Sequence, residues 1–289
     1  MALPFAMGCA IWAYPQWVGE LYPPGSRSGQ LLSLYSQRFH TVEGNTTFYS
    51  VPDAQTVARW RRNTQDGFQF CLKLPRSLTH AGTLQPQLPA TLTFLEQMQP
   101  LGDRLGPFFA QLPPSYGPHQ LPDLAAFLQE LPRSLFEFAL EVRHPNWFRE
   151  PQASALDDLL RSLGVGRVLL DTRPIYDCPD NPQLRSERQK PRLPLQPSVT
   201  AAFSLIRYIS HPDLALNQPY WQEWTRRIAA WLGQGTRIYY FVHCPLEVRS
   251  PRNARHFYHQ LQQQGISVPP LPWDLLEPPP AQLNLFEQG

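Results

Sequence analysis

The stretch TVEGNTTFYS, residues 41–50, opens as a β-strand does and carries an unusual pair of side chains. Thr41 and Val42 suit an extended backbone, and Phe48 and Tyr49 suit its exit. Glu43 and Asn45 alternate along it, so a strand would point both to one side, one pleat apart. A carboxylate and a carboxamide on one face need either water or a polar centre. The rest of the chain decides between these.

Seven further short apolar runs read as strands: FAMGCAI (5–11), FQFCLKL (68–74), GPFFAQL (106–112), FEFALEVR (136–143), RVLLD (167–171), FSLIRYI (203–209) and RIYYFVH (237–243). They are short and rich in aromatic or β-branched residues. Segments with helical spacing separate them, among them SGQLLSLYSQRF, DAQTVARWRRNT with Asp53 as a cap, and PYWQEWTRRIAAWLGQG. This alternation predicts an α/β protein with a parallel sheet. Eight repeats fit a (β/α)8 TIM barrel over residues 1–268, as one domain. An open doubly wound sheet is the alternative, but GCAIWAYPQWVG after the first strand has no G-x-G-x-x-G pattern.

Two segments break the pattern. Residues 172–200, TRPIYDCPDNPQLRSERQKPRLPLQPSVT, form a long basic, proline-rich insert after the sixth strand, suited to a functional or mobile loop. Within it, RSERQKPR reads either as a solvated face or as an anion-binding flap. Residues 269–289 form a proline-rich tail, expected to be extended.

The chain of 289 residues carries a net charge of +2, with acids and bases spread through both halves. That balance does not favour strong non-specific nucleic-acid binding. Lys73 and Lys190 are the only lysines among 25 basic residues. The four cysteines, Cys9, Cys71, Cys178 and Cys244, have no C-x-x-C spacing and read as free thiols in a reducing compartment. With no long apolar run and no charged leader, a soluble, cytoplasmic protein is expected, without a membrane partner.

In a (β/α)8 barrel the site lies where the strands end. Seven of the eight strands place a polar group there: Glu43 and Asn45, Lys73, Gln111, Glu141 with Arg143, Asp171, Arg207 and His243. The first strand leads instead into Trp12, Tyr14 and Trp17, which could stack on a sugar or base. Lys73, Arg143 and Arg207 suit a phosphate or carboxylate. Glu43, Glu141 and Asp171 offer general bases or ligands for a divalent metal, and His243 a base or ligand. Lys73 offers a Schiff-base amine if desolvated. A purely structural ion network is the competing reading.

Three functions follow. The first is an enzyme acting on a phosphate-containing substrate, small molecule or nucleic acid, with Glu43, Glu141, Asp171, His243 and Lys73 as catalytic candidates. The binding candidates are Trp12, Tyr14, Trp17, Asn45, Gln111, Arg143 and Arg207. The second is a non-catalytic nucleic-acid or anion-binding adaptor recruited through its C-terminal tail. The third is a lyase or isomerase using Lys73.

GCAIWAYPQWVGELYPPG, VEGNTTFY, LGPFFAQLPPSY and ALEVRHPNWF, in this order, resemble the YecE-like family known as domain of unknown function 72. The resemblance runs from Gly8 to about Gly265. It implies a TIM barrel and no established activity. The relation drawn between that family and endonuclease IV-like barrels would imply several zinc ions and a link to DNA repair. Here the ring has His243, with His80 and His144 in nearby loops, and the usual asparagine-rich end of the eighth strand reads FVHCPLE. In the tail, QLNLF resembles the pentapeptide that docks bacterial repair proteins on the sliding clamp. Gln282, Leu283, Leu285 and Phe286 would be its anchors; the other reading packs them on the chain's own barrel.

Overall fold

The computed structural model describes residues 3–184 and 189–276. Eight strands follow in the expected order: β1 (Phe5–Cys9), β2 (Thr41–Gly44), β3 (Gln69–Leu72), β4 (Phe108–Gln111), β5 (Phe138–Glu141), β6 (Gly166–Asp171), β7 (Phe203–Ile209) and β8 (Arg237–His243). All paired neighbours are parallel. Six strands make one sheet in the order β1-β8-β7-β6-β5-β4, and β2 pairs with β3. Two seams lie between these groups. At the first, His40 N donates to Met7 O at 3.1 Å. Gly8 permits the approach, because a Cβ there would sit 2.0 Å from Thr41 O. At the second, Phe70 bridges to Leu105 and Lys73 to Phe109.

Among the described residues, seven helices of six residues or more cover the sheet: Leu31–Ser36, Ala54–Arg62, Leu88–Met98, Leu121–Glu130, Gln152–Leu163, Gln218–Gly233 and Ser250–Gln263. Asp53 caps the second, accepting from Thr56 N at 2.8 Å. The alternation breaks at residues 172–200, the insert that the sequence sets apart from the pattern. Between β6 and β7 the insert contributes only the short turn Arg173–Tyr176 among the described residues, because its prolines interrupt any longer helix.

Strand parity sorts the side chains into two layers. Ala6, Cys71, Phe109, Ala139, Val168, Leu205, Tyr239 and Phe241 fill the inner face. Residues of the other parity, such as Met7, Phe108, Leu140, Leu169, Ile206 and Tyr240, belong to the large apolar cluster shared with the helices. Lys73, Gln111, Glu141, Arg207 and His243 have the inner parity. Asp171 has the parity of Leu169, and so belongs to the helix side.

The start of the expected tail is packed. His40 Nε2 bonds with Pro270 O at 3.0 Å, Leu271 is buried, and Trp273 meets the Phe39 ring at 5.9 Å. The clamp-like residues Gln282, Leu283, Leu285 and Phe286 lie outside the described residues. All four cysteines are free, three of them buried. No helix among the described residues is long and apolar enough to cross a membrane.

Candidate functional site

β2 ends at Gly44, and a helical turn over Thr46–Tyr49 follows. The Thr47 hydroxyl holds that turn, bonding to the carbonyls of Gly44 and Lys73 at 2.9 and 2.6 Å. Asn45 therefore stands just beyond the strand rather than within it. It still meets Glu43, donating from Nδ2 to Oε1 at 2.6 Å and to Ala10 O at 3.1 Å.

Glu43 is also gripped by Arg207, whose Nε and Nη2 donate to Oε2 and Oε1 at 2.9 and 2.8 Å. His243 Nε2 meets Oε2 at 2.8 Å. Glu141 binds Arg143 Nε at 2.7 Å and also Arg207 Nη1. Arg143 Nη2 continues to Gln111 Oε1 at 2.6 Å, and Lys73 Nζ donates to the same oxygen at 2.7 Å. The structure thus brings together Glu43, Asn45, Lys73, Gln111, Glu141, Arg143, Arg207 and His243.

Burial alone would raise both carboxyls. Arg207 and His243 instead hold Glu43 well below the usual range, and Arg207, Arg143 and Lys73 bring Glu141 to about 2. Carboxylates so acidic, with both oxygens bonded, are weak bases at neutral pH. Burial pushes His243 down to about 4, so it is neutral. Burial, then Arg207, lowers the Lys73 amine to about 7. Its Nζ lies 3.7 Å from the centre of the Phe48 ring.

Above this network opens a cavity of about 710 Å³. Lys73, Gln111, Arg143, Arg207, Asn45 and His243 reach its wall. Phe48, Tyr49, Arg76 and Glu247, which the sequence did not mark as site residues, also line the wall, as does His80, expected only in a nearby loop. The helical turn after β2 delivers Phe48 and Tyr49, and the KLPRSLTH stretch after β3 delivers Arg76 and His80. Lys190, from the basic insert, also lines the wall. Its backbone is held by Tyr176 and Gln183, and burial, then Arg207, lowers its amine to about 8. Burial raises the Glu247 carboxyl to about 8, and its Oε1 is buried with no hydrogen-bond partner among the described residues.

Other expected members stand elsewhere. Asp171 faces the helices, where it accepts from Arg173 N, Nε and Nη2 at 3.1, 2.9 and 2.9 Å and from Trp224 Nε1 at 2.8 Å. Parity removes it from the inner ring. Trp12 is buried edge-on against Trp60 and Phe70. Trp17 is buried between Tyr14, Tyr22 and Tyr35 and donates to Glu247 O at 3.1 Å. Tyr14 packs on Trp17 and is not on the cavity wall. Trp12 and Trp17 are thus taken up in packing, and neither they nor Tyr14 line the cavity. Phe48 and Tyr49 are the aromatic residues on the cavity wall.

The donors fit a divalent metal poorly. Every oxygen of Glu43 and Glu141 already accepts from a cationic or amide group, and a metal between them would face the Arg207 guanidinium. Away from the mouth, Cys178, Asp180 and His211 bring three ligand atoms within 4.8 Å of one another. There His211 Nδ1 accepts from Asp213 N at 2.9 Å. The ring proton therefore sits on Nε2, toward Asp180 at 3.0 Å, and no lone pair faces the cluster.

Residues 6–276 match the model of a family described as protein of unknown function DUF72. The UPF0759 protein YecE of Escherichia coli K12 is 36% identical over 261 residues, covering 89% of this chain and 92% of that protein. The UPF0759 protein YunF of Bacillus subtilis 168 is 26% identical over 142 residues, covering 46% of this chain and 49% of that one. Among solved structures, a DUF72 family protein from Thermotoga maritima aligns with a TM-score of 0.65 at 20% identity, covering 89% of this chain and 99% of that one. One from Enterococcus faecalis aligns with a TM-score of 0.62 at 15% identity, covering 97% and 100%. The continuous family match and the identity to YecE place this chain in the DUF72 family of YecE-like proteins.

Proposed function

We propose that this chain is a (β/α)8-barrel enzyme that binds a small phosphate-containing anion in the cavity at the C-terminal ends of its strands. One observation carries the reading. Five basic side chains, Lys73, Arg76, Arg143, Lys190 and Arg207, line one cavity. The ring's carboxylates, Glu43 and Glu141, are taken up by Arg207 and Arg143. Lys73, Arg76 and Lys190 have no carboxylate partner among the described residues. An oxyanion would supply it, with Arg76 able to fork onto two oxygens. The cavity lies within the roughly 300–1,000 Å³ range of small-ligand sites. Phe48 and Tyr49 give it an aromatic wall for a ring or base.

Calorimetry with inorganic phosphate, a sugar phosphate and a mononucleotide tests this, against their unphosphorylated counterparts. Binding is expected for phosphorylated compounds only. Arg76→Ala and Lys190→Ala should each weaken it about tenfold, the effect of losing one charge-assisted hydrogen bond. Indifference of the wild-type protein to all three would overturn the reading. Binding to DNA or phosphate with no turnover would instead favour the adaptor. Recruitment to a sliding clamp through Gln282–Phe286 is a separate proposal, tested by capture with and without residues 281–289.

A further inference from the structure

Both lysines of the chain, Lys73 and Lys190, line one cavity. They come from different elements, one from the exit of β3 and one from the β6–β7 insert. Everywhere else the chain uses arginine for a positive side chain, including Arg76, Arg143 and Arg207 on the same wall. A guanidinium holds an oxyanion at least as well as an ammonium group does. It cannot lose its proton near neutrality and present a nitrogen lone pair. Two lysines facing one cavity in a chain otherwise built with arginine therefore point to amine chemistry.

We propose that Lys73 is a nucleophile that forms a Schiff base with a small anionic carbonyl compound, an oxo acid or an aldehyde or ketone phosphate. Glu247 is the proton donor and Lys190 the second, proton-accepting amine. The substrate class rests on the anion-binding reading above. Lys73 Nζ is fixed between Gln111 Oε1 at 2.7 Å and the Phe48 ring at 3.7 Å. Arg207, Glu141, Glu43 and Arg143 are the charged groups that act on it, and His80 is the titratable neighbour that feels its charge; burial with the two arginines favours the neutral amine. Glu247 lies on the same wall, its buried Oε1 without a hydrogen-bond partner among the described residues, and burial, only partly opposed by the Ser250 hydroxyl, keeps it protonated at neutral pH.

The neutral Lys73 nitrogen adds to the carbonyl carbon. A C–N bond forms, the carbonyl π pair moves to oxygen, and a proton passes from nitrogen to that oxygen to give a carbinolamine. Glu247 then protonates the hydroxyl. The C–O bond breaks, water leaves, the nitrogen pair forms C=N, and Glu247 is left as a carboxylate. Lys190 next takes a proton from the adjacent carbon, and the C–H pair forms C=C as the iminium π pair returns to nitrogen. No oxidant or reductant is needed.

The wild-type protein is incubated with cyanoborohydride and either pyridoxal phosphate, an anionic aldehyde, or propanal, an uncharged one. Sites are mapped by mass spectrometry across roughly pH 6–9. Lys73 should be modified about tenfold faster than the terminal amine at neutral pH, with a rate that rises through about pH 7. Inorganic phosphate should slow the reaction with pyridoxal phosphate. Lys73→Arg should abolish that label, and Asp158→Asn, on the exposed face of a helix away from the cavity, should leave it. Terminal-amine modification with Lys73 untouched by either probe would overturn the proposal. If calorimetry still detected phosphate binding, the anion reading would survive that failure. Reaction of Lys73 with propanal and no protection by phosphate would uphold the amine and remove the anion site.

Discussion

Arg207 on β7 grips Glu43 on β2 through two hydrogen bonds, at 2.9 and 2.8 Å, although the residues are 164 positions apart. Its third nitrogen reaches Glu141 on β5, 66 positions away. One guanidinium ties three strands at the floor of the cavity. Replacing it should strand two buried carboxylates. Arg207→Met is expected to lower the unfolding free energy by about 3–5 kcal/mol, read by urea denaturation at neutral pH. The triple variant with Glu43→Gln and Glu141→Gln should recover much of the loss. A single variant as stable as wild type would show that the network bears no load.

The same network sets the response to acid. Glu141 titrates near 2 when folded, against an ordinary 4.5. Its contribution is present above about 4.5 and is lost as pH falls toward about 2. His243 and His40 are buried neutral, each near 4 against an ordinary 6.5. Their contribution is complete above 6.5 and is lost as pH falls toward about 4. Melting temperature should therefore decline in two stages below neutrality. His243→Gln should flatten the first stage and Glu141→Gln the second. A midpoint independent of pH from 6.5 down to 4 would contradict the burial of these histidines.

Lys73 has the same sign, displaced to higher pH. Its amine titrates near 7 when folded, against an ordinary 10.5. The unfolded chain therefore binds more protons between those values, and stability rises with pH across them. Below about 7 the buried amine carries its full cost. Lys73→Met should thus be more stable than wild type at neutral pH, by on the order of 1–3 kcal/mol after the Gln111 and Phe48 contacts are lost. Anion binding should weaken in the same variant. Destabilisation by that amount would mean that Lys73 serves the scaffold.

Asp171 separates scaffold from site. Asp171→Asn removes the charge that accepts three bonds from Arg173 and one from Trp224. Stability should fall by about 3–5 kcal/mol, while phosphate affinity measured on the folded protein stays unchanged. A selective loss of binding without a change in stability would return Asp171 to the functional ring.

The local pattern of residues 41–44, with seven other short apolar runs separated by helical spacing, was enough for the parallel α/β class and the order of the strands. Short-range rules decide such things: the period of side chains along a strand, a cap such as Asp53, prolines that interrupt the insert. The polar ring was also largely legible, because Glu43, Lys73, Gln111, Glu141, Arg207 and His243 each stand in the last part of an apolar run. Tertiary structure decided which way those ends face. Both faces of a covered parallel sheet are apolar, so RVLLD by itself does not say whether Val168 or Leu169 looks inward, and Asp171 went to the helix side with Leu169. The tryptophans after β1 were claimed by packing against Trp60, Phe70 and Tyr35, contacts between segments that no local pattern links. The cavity wall likewise combines Phe48, Arg76, His80, Lys190 and Glu247 from four separate loops, and only their convergence in space brings the two lysines to one place.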